Sequence, residues 1–149
     1  MGILEKVFFT IISLAVVVSL YFLEITLKDI GNFDNVLLGT ITLNSIGIGF
    51  LVASVSMIPS LSENEFFKKL KELKTDQKLM RLLIVTIRFL LLISIISLVL
   101  LFTNTIGQIQ EYLEWLFYLW IFLLTFSLLL INSVVKIFLT VVKSIQEKG

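Results

Sequence analysis

Residues 36–59 read VLLGTITLNSIGIGFLVASVSMIP, and residues 60–74 continue SLSENEFFKKLKELK. The first stretch contains no Asp, Glu, Lys or Arg. A helix rises about 1.5 Å per residue, so a run of this length crosses the roughly 30 Å of hydrocarbon in a bilayer. It stops at Pro59, the only proline in the chain, because the proline ring removes a backbone donor and clashes one turn back. Ser62-Glu63-Asn64-Glu65 then has the form of a capping box, with Leu61 and Phe66 at the staple positions around it. Phe66, Leu70 and Leu73 recur at helical spacing among Lys68, Lys69, Lys71, Glu72 and Lys74. This pattern predicts an amphipathic helix over about 62–80 that lies outside the hydrocarbon.

Outward from this pair, three more apolar runs of spanning length occur, at about 7–27, 82–103 and 112–135. The first offers no small-residue cleavage site at Tyr21-Phe22-Leu23-Glu24, so it reads as a retained helix rather than a signal peptide. The links at 28–35 and 104–110 are polar and of hairpin length. The expected fold is therefore all-α, an integral membrane four-helix bundle forming one transmembrane domain over 1–149, with a tail at 136–149. Composition agrees: 58% of residues are hydrophobic and 15% charged, against about 45–50% and about 25% in soluble domains. The mean hydropathy is +1.05.

Charge sets the orientation. With the N-terminus inside, eleven of the twelve Lys and Arg lie on the inner side, as the positive-inside rule requires. The outer side keeps Lys28 against Glu24, Asp29, Asp34, Glu111 and Glu114. Tyr112, Trp115, Tyr118 and Trp120 then gather at the outer boundary as an aromatic belt. The expectation is N-in, C-in, in the plasma membrane, with the 62–80 helix cytoplasmic.

Much chemistry is excluded by residues the chain lacks. It has no Cys and no His, which removes thiolate sites, the commonest transition-metal ligand and the commonest general base. A net charge of +1 argues against direct nucleic-acid binding, which needs a clustered basic surface. No carboxylate lies near the centre of a span, as a proton-coupled transporter would want. An enzyme is not expected, and neither is a cofactor or metal.

Two helices carry patterns beyond hydrophobicity. In the second, Thr42, Ser45, Gly49, Ala53 and Ser56 share one stripe, and Thr40, Gly47 and Ser54 form a thinner one. Small faces let backbones approach closely, which drives helix association where lipid offers no hydrophobic contrast. These stripes read either as packing against the first or third helix, or as a subunit interface. Asn44, on the bulky arc between them, is expected to face protein and bond across helices.

In the fourth helix, Glu111, Glu114, Tyr118, Thr125, Asn132, Lys136, Thr140 and Lys143 fall on one narrow line. A lipid-facing surface would not collect its polar groups so, and the line is expected to face protein or water. One reading makes it the packing seam of the bundle. The other makes Tyr118, Thr125, Asn132 and Lys136 the lining of a path in an oligomer, with Ile121, Phe122, Leu128 and Leu129 as hydrophobic constrictions. Arg88 lies nearly two turns into the third helix and reads as an anchor that snorkels to the inner surface.

The segment GTITLNSIGIGFLVASVSMIPSLSENEFFKKLKELK, followed by MRLLIVTIRFLLLISIIS, resembles small four-span membrane proteins of bacteria associated with anti-phage defence. The membrane subunit of the Kiwa defence system has a comparable layout. The resemblance implies a homo-oligomeric membrane sensor or effector working with a soluble cytoplasmic partner, here through residues 62–80. A pore is one form of that reading. A non-conducting binding or assembly protein, such as a bacteriocin-immunity protein, is the alternative.

Overall fold

The computed structural model describes residues 3–57, 76–106 and 110–146. Among them every regular element is a helix: α1 (Ile3–Phe22), a short 3-10 turn (Leu27–Asp29), α2 (Phe33–Met57), α3 (Asp76–Ile106) and α4 (Gln110–Gln146). All four helices are long and apolar enough to cross a membrane, over Leu4–Phe22, Phe33–Ser56, Gln77–Thr103 and Leu113–Thr140. The cytoplasmic helix expected over 62–80 lies outside the described residues, except that 76–80 form the start of α3.

The helix α1 ends at Phe22, although the apolar run extends to Leu27. The end is set by backbone geometry. Glu24 takes φ 54, the left-handed conformation that reverses a chain after a helix. The Ile25 amide reaches back to the Leu20 carbonyl at 3.1 Å, and the Glu24 amide to Tyr21 at 3.1 Å. This is the Schellman arrangement, with Glu24 where glycine is usual. A second left-handed residue, Asn32 (φ 57), precedes α2, and its carbonyl accepts from the Asn35 and Val36 amides.

The helices form a series, α2 against α3, α3 against α4, and α4 against α1. Thus α1 packs on the last helix rather than on its neighbour in sequence. Heptad spacing explains each seam. In α2, Phe33, Leu37, Thr40, Asn44 and Leu51 are buried, at alternating three- and four-residue steps with Gly47 among them. The matching line in α3 is Leu79, Leu83, Thr86, Leu90, Ile93, Ser97 and Leu100. In α4 it is Leu113, Phe117, Trp120, Leu123, Ser127, Leu130 and Val134. Such a period is that of knobs-into-holes packing.

Two apolar clusters stack along these seams. One joins Phe9, Leu51, Leu83, Leu90 and Leu130 near the N-termini of α1 and α3. The other joins Phe33, Leu37, Leu100, Phe117 and Trp120 towards the opposite end. Large apolar side chains also cover the outside, Phe8, Ile46, Phe50, Phe102 and Trp115 among them. In water such a surface would drive association; in lipid it has no such cost.

Buried hydroxyls satisfy themselves mainly on their own helices. Thr86 Oγ1 donates to Leu82 O at 2.8 Å, Ser97 Oγ to Ile93 O at 2.8 Å and Thr40 Oγ1 to Val36 O at 2.8 Å. Polar atoms between apolar helices need such internal partners, because neither core nor lipid supplies a substitute.

Candidate functional site

The two small-residue stripes of α2 have different fates. Gly47 lies against α3: a Cβ there would meet Leu90 Cδ1 at 3.4 Å. Thr40 is buried and Ser54 half-buried on the same side. Beside them, the Asn44 amide points at Ser94 Oγ (3.3 Å) and Leu90 O (3.5 Å) of α3. The other stripe faces away. Thr42, Ser45, Gly49, Ala53 and Ser56 are all exposed, and a Cβ on Gly49 would meet nothing within 4 Å. Its hydroxyls donate to carbonyls four residues back, as Thr42 to Leu38, Ser45 to Ile41 and Ser56 to Val52. The stripe is therefore smooth and self-satisfied.

The polar line of α4 is divided between interior and surface. Tyr118 is half-buried against α1: its hydroxyl donates to Ile25 O at 3.2 Å and its ring lies edge-on to Tyr21. Thr125 is half-buried and donates to Ile121 O. Beyond it, Asn132, Lys136 and Thr140 are exposed. The buried seam of α4, from Leu113 to Val134, runs on the opposite side of the helix. The stripe thus borders α1 at Tyr118 and continues over open surface.

Trp120 differs from the expected belt. It is 1% exposed and hydrogen-bonds to Ser97, whereas Trp115 is exposed as a belt residue would be. Arg88 is exposed on α3, on the side away from the Thr86–Leu90 seam.

A third feature escaped the sequence reading. Both α1 and α3 lean on α4, and near their N-terminal ends a cavity of about 580 Å³ lies among the three helices. Lys6 of α1 and Lys78 and Arg81 of α3 stand at its end, with Gln77 and Thr10 beside them. Deeper along the helices it is lined by Leu82, Val85 and Phe89 of α3 and by Phe126 and Leu130 of α4. Phe89 and Phe126 pack with ring centroids 5.0 Å apart, and Phe9 meets Phe126 edge-on at 6.3 Å. Lys78 Nζ lies 4.0 Å from Glu5 Oε2, an exposed pair of little energetic weight. The cavity thus has a cationic mouth and an apolar interior. Lys6 and Arg81 are far apart in the chain; the signal that could have joined them was their common end in the expected topology.

No family model matches the chain, and no curated protein or solved structure matches it either.

Proposed function

We propose that this chain is a multi-pass plasma-membrane protein that self-associates and acts there as a sensor or effector, conducting through a path between its copies. Both termini and the segment between α2 and α3 are on the cytoplasmic side. The observation that carries this reading is the polar line of α4, which leaves the packed interior after Thr125 and runs on across open surface at Asn132, Lys136 and Thr140. An amide and an ammonium within a spanning segment need polar partners or water. A second copy, or a lumen between copies, supplies them.

Two further features support it. The exposed Thr42–Ser56 stripe of α2 is the kind of surface on which membrane helices associate closely. The interior of a single copy is filled by Phe117, Trp120, Leu123 and Leu130, so a path between copies accounts better for conduction than one through a single chain. The resemblance in layout to defence-associated four-span proteins motivates an antiviral role beside a soluble cytoplasmic protein, docked through residues 62–80.

The test is ion flux from liposomes holding the purified protein, with its oligomeric state measured in the same preparation. Flux that is lost in Asn132→Leu with Thr125→Val, while assembly persists, is the expected result. An oligomer that conducts under no trigger sinks the pore. Full biological activity of the double variant would favour a non-conducting binding protein instead.

A further inference from the structure

The cavity among α1, α3 and α4 has a use that neither self-association nor conduction requires. Its two ends make opposite chemical demands. The mouth brings together Lys6, Lys78 and Arg81, with the Glu5 carboxylate 4.0 Å from Lys78. All three cations are exposed, and the long exposed pair of Lys78 with Glu5 is weak enough to yield to an anion. The interior, from Leu82 to Phe89 on one wall and Phe126 to Leu130 on the other, offers only apolar surface. A free phosphate would satisfy the mouth and leave the interior unfilled. A hydrocarbon chain would do the reverse.

From this geometry we infer that the cavity is a binding site for one anionic phospholipid. The phosphodiester sits among Lys6, Lys78 and Arg81, and an acyl chain lies along Val85, Phe89 and Phe126. The volume, about 580 Å³, is within the range of about 300–1,000 Å³ that holds small molecules. It accommodates a headgroup, a glycerol unit and the first part of a chain. The cations lie at the start of two spanning segments, Lys6 in Leu4–Phe22 and Lys78 and Arg81 in Gln77–Thr103, which is the level of lipid headgroups. Basic pockets between membrane helices recognise anionic headgroups in this way. The inference rests on the reading that the four helices lie in a bilayer; it is independent of orientation, oligomer and pore.

A lipid there also has a mechanical role. Among the described residues, the helix α1 is the least buried of the four and packs mainly on α4. A phospholipid bridging Lys6 to Lys78 and Arg81 fastens it to α3 at the end where Glu5 and Lys78 form an exposed pair.

The experiment reconstitutes the full chain in nanodiscs of phosphatidylcholine containing one-fifth phosphatidylglycerol, and counts retained lipids by native mass spectrometry after gentle release. One phosphatidylglycerol per chain is expected to be retained in preference to phosphatidylcholine. Each of Lys6→Gln, Lys78→Gln and Arg81→Gln should lower that retention by about fivefold, from the attraction of a single basic residue for an anionic surface. The charge-keeping set Lys6→Arg, Lys78→Arg and Arg81→Lys should retain it, and Arg88→Gln, a charge outside the cavity, should not matter. Equal retention of both lipids, or the same loss from Arg88→Gln as from Arg81→Gln, overturns the site. Displacement by millimolar glycerol 3-phosphate would assign the mouth to a soluble phosphate and overturn the lipid. A chain that does not enter the nanodisc overturns the bilayer reading and the site together, whereas one that enters without preference overturns the site alone.

Discussion

The indole N–H of Trp120 donates to Ser97 Oγ across 2.8 Å between α4 and α3, with both residues essentially inaccessible. Ser97 Oγ in turn donates to Ile93 O at 2.8 Å, so the hydroxyl both accepts and donates. Ser97→Ala removes the indole's acceptor and strands a buried donor, at a cost of about 1–3 kcal/mol. A double-mutant cycle with Trp120→Phe should return a coupling of about 1 kcal/mol, in the range for hydrogen bonds between membrane helices. Reversible unfolding in mixed micelles measures it. Additive single effects would mean that the bond contributes nothing.

The two glycines of α2 separate packing within a copy from packing between copies. Gly47 has Leu90 close to the site of its missing Cβ, while Gly49 faces open space. Gly47→Leu should therefore push α2 off α3 and destabilise the chain by about 1–3 kcal/mol. Gly49→Leu should leave unfolding within about 0.5 kcal/mol of the parent yet weaken self-association. Micellar unfolding and sedimentation of the two variants decide this. If Gly49→Leu sediments like the parent, the outer stripe is not the contact.

These residues also show what a sequence can reveal in an apolar chain. Four long apolar helices could be expected because charge and Pro59 interrupt the apolar runs, and both α2 stripes stand out by residue size. Which stripe meets α3 could not be read, because core and lipid are equally apolar and hydropathy does not distinguish them. The same ambiguity hid the Leu113–Val134 seam of α4 among the Leu and Phe outside the polar line, and left Trp120 looking like an interfacial residue. The cavity was hidden for another reason: Lys6 and Arg81 line one cavity because α1 skips its neighbour and packs on α4.

At the end of α1, Glu24 holds a left-handed backbone at φ 54. A side chain there crowds the following carbonyl, at a cost of about 1–2 kcal/mol that glycine avoids. Glu24→Gly preserves both Schellman bonds and should raise stability by about 1 kcal/mol, less whatever flexibility glycine adds to the unfolded chain. Chemical denaturation of the pair of proteins measures the sign. A loss of stability would mean that the Glu24 side chain makes a contact worth more than the strain.

The turn between α1 and α2 carries a pH dependence. The Asp29 carboxylate accepts from the Thr26 amide at 2.7 Å and from the Thr26 hydroxyl at 2.8 Å. These bonds, the backbone one first, hold its pKa below the usual carboxylate value. A depressed pKa means the folded turn binds its proton less readily than the unfolded chain. Its stabilisation is complete above the ordinary Asp pKa of about 3.9 and is lost as pH falls below it. Exchange of the Thr26 amide should therefore stay slow, after correction for intrinsic rates, down to about pH 4 and become faster below. In Asp29→Asn that step should vanish. A step that persists in the variant assigns the titration to another group.

Ser13 gives the last and most local test. It is fully buried in α1, and its hydroxyl is the one buried side-chain polar atom among the described residues without a hydrogen-bond partner. Its neighbours Thr10 and Ser19 both donate to carbonyls four residues back, at 2.9 and 2.8 Å, so the helix permits a bond that Ser13 does not make. A small side chain suits the contact of α1 with α4, because bulk here would lift the helix and separate Phe9 from Phe126. The hydroxyl itself adds only desolvation. Ser13→Ala keeps the size and removes the unsatisfied atom, so it should leave stability unchanged or raise it by up to about 1 kcal/mol. Ser13→Leu should lower it by about 1–3 kcal/mol through overpacking. If alanine instead lowers stability, the buried hydroxyl has a partner inside the chain, such as the carbonyl four residues back that Thr10 and Ser19 use.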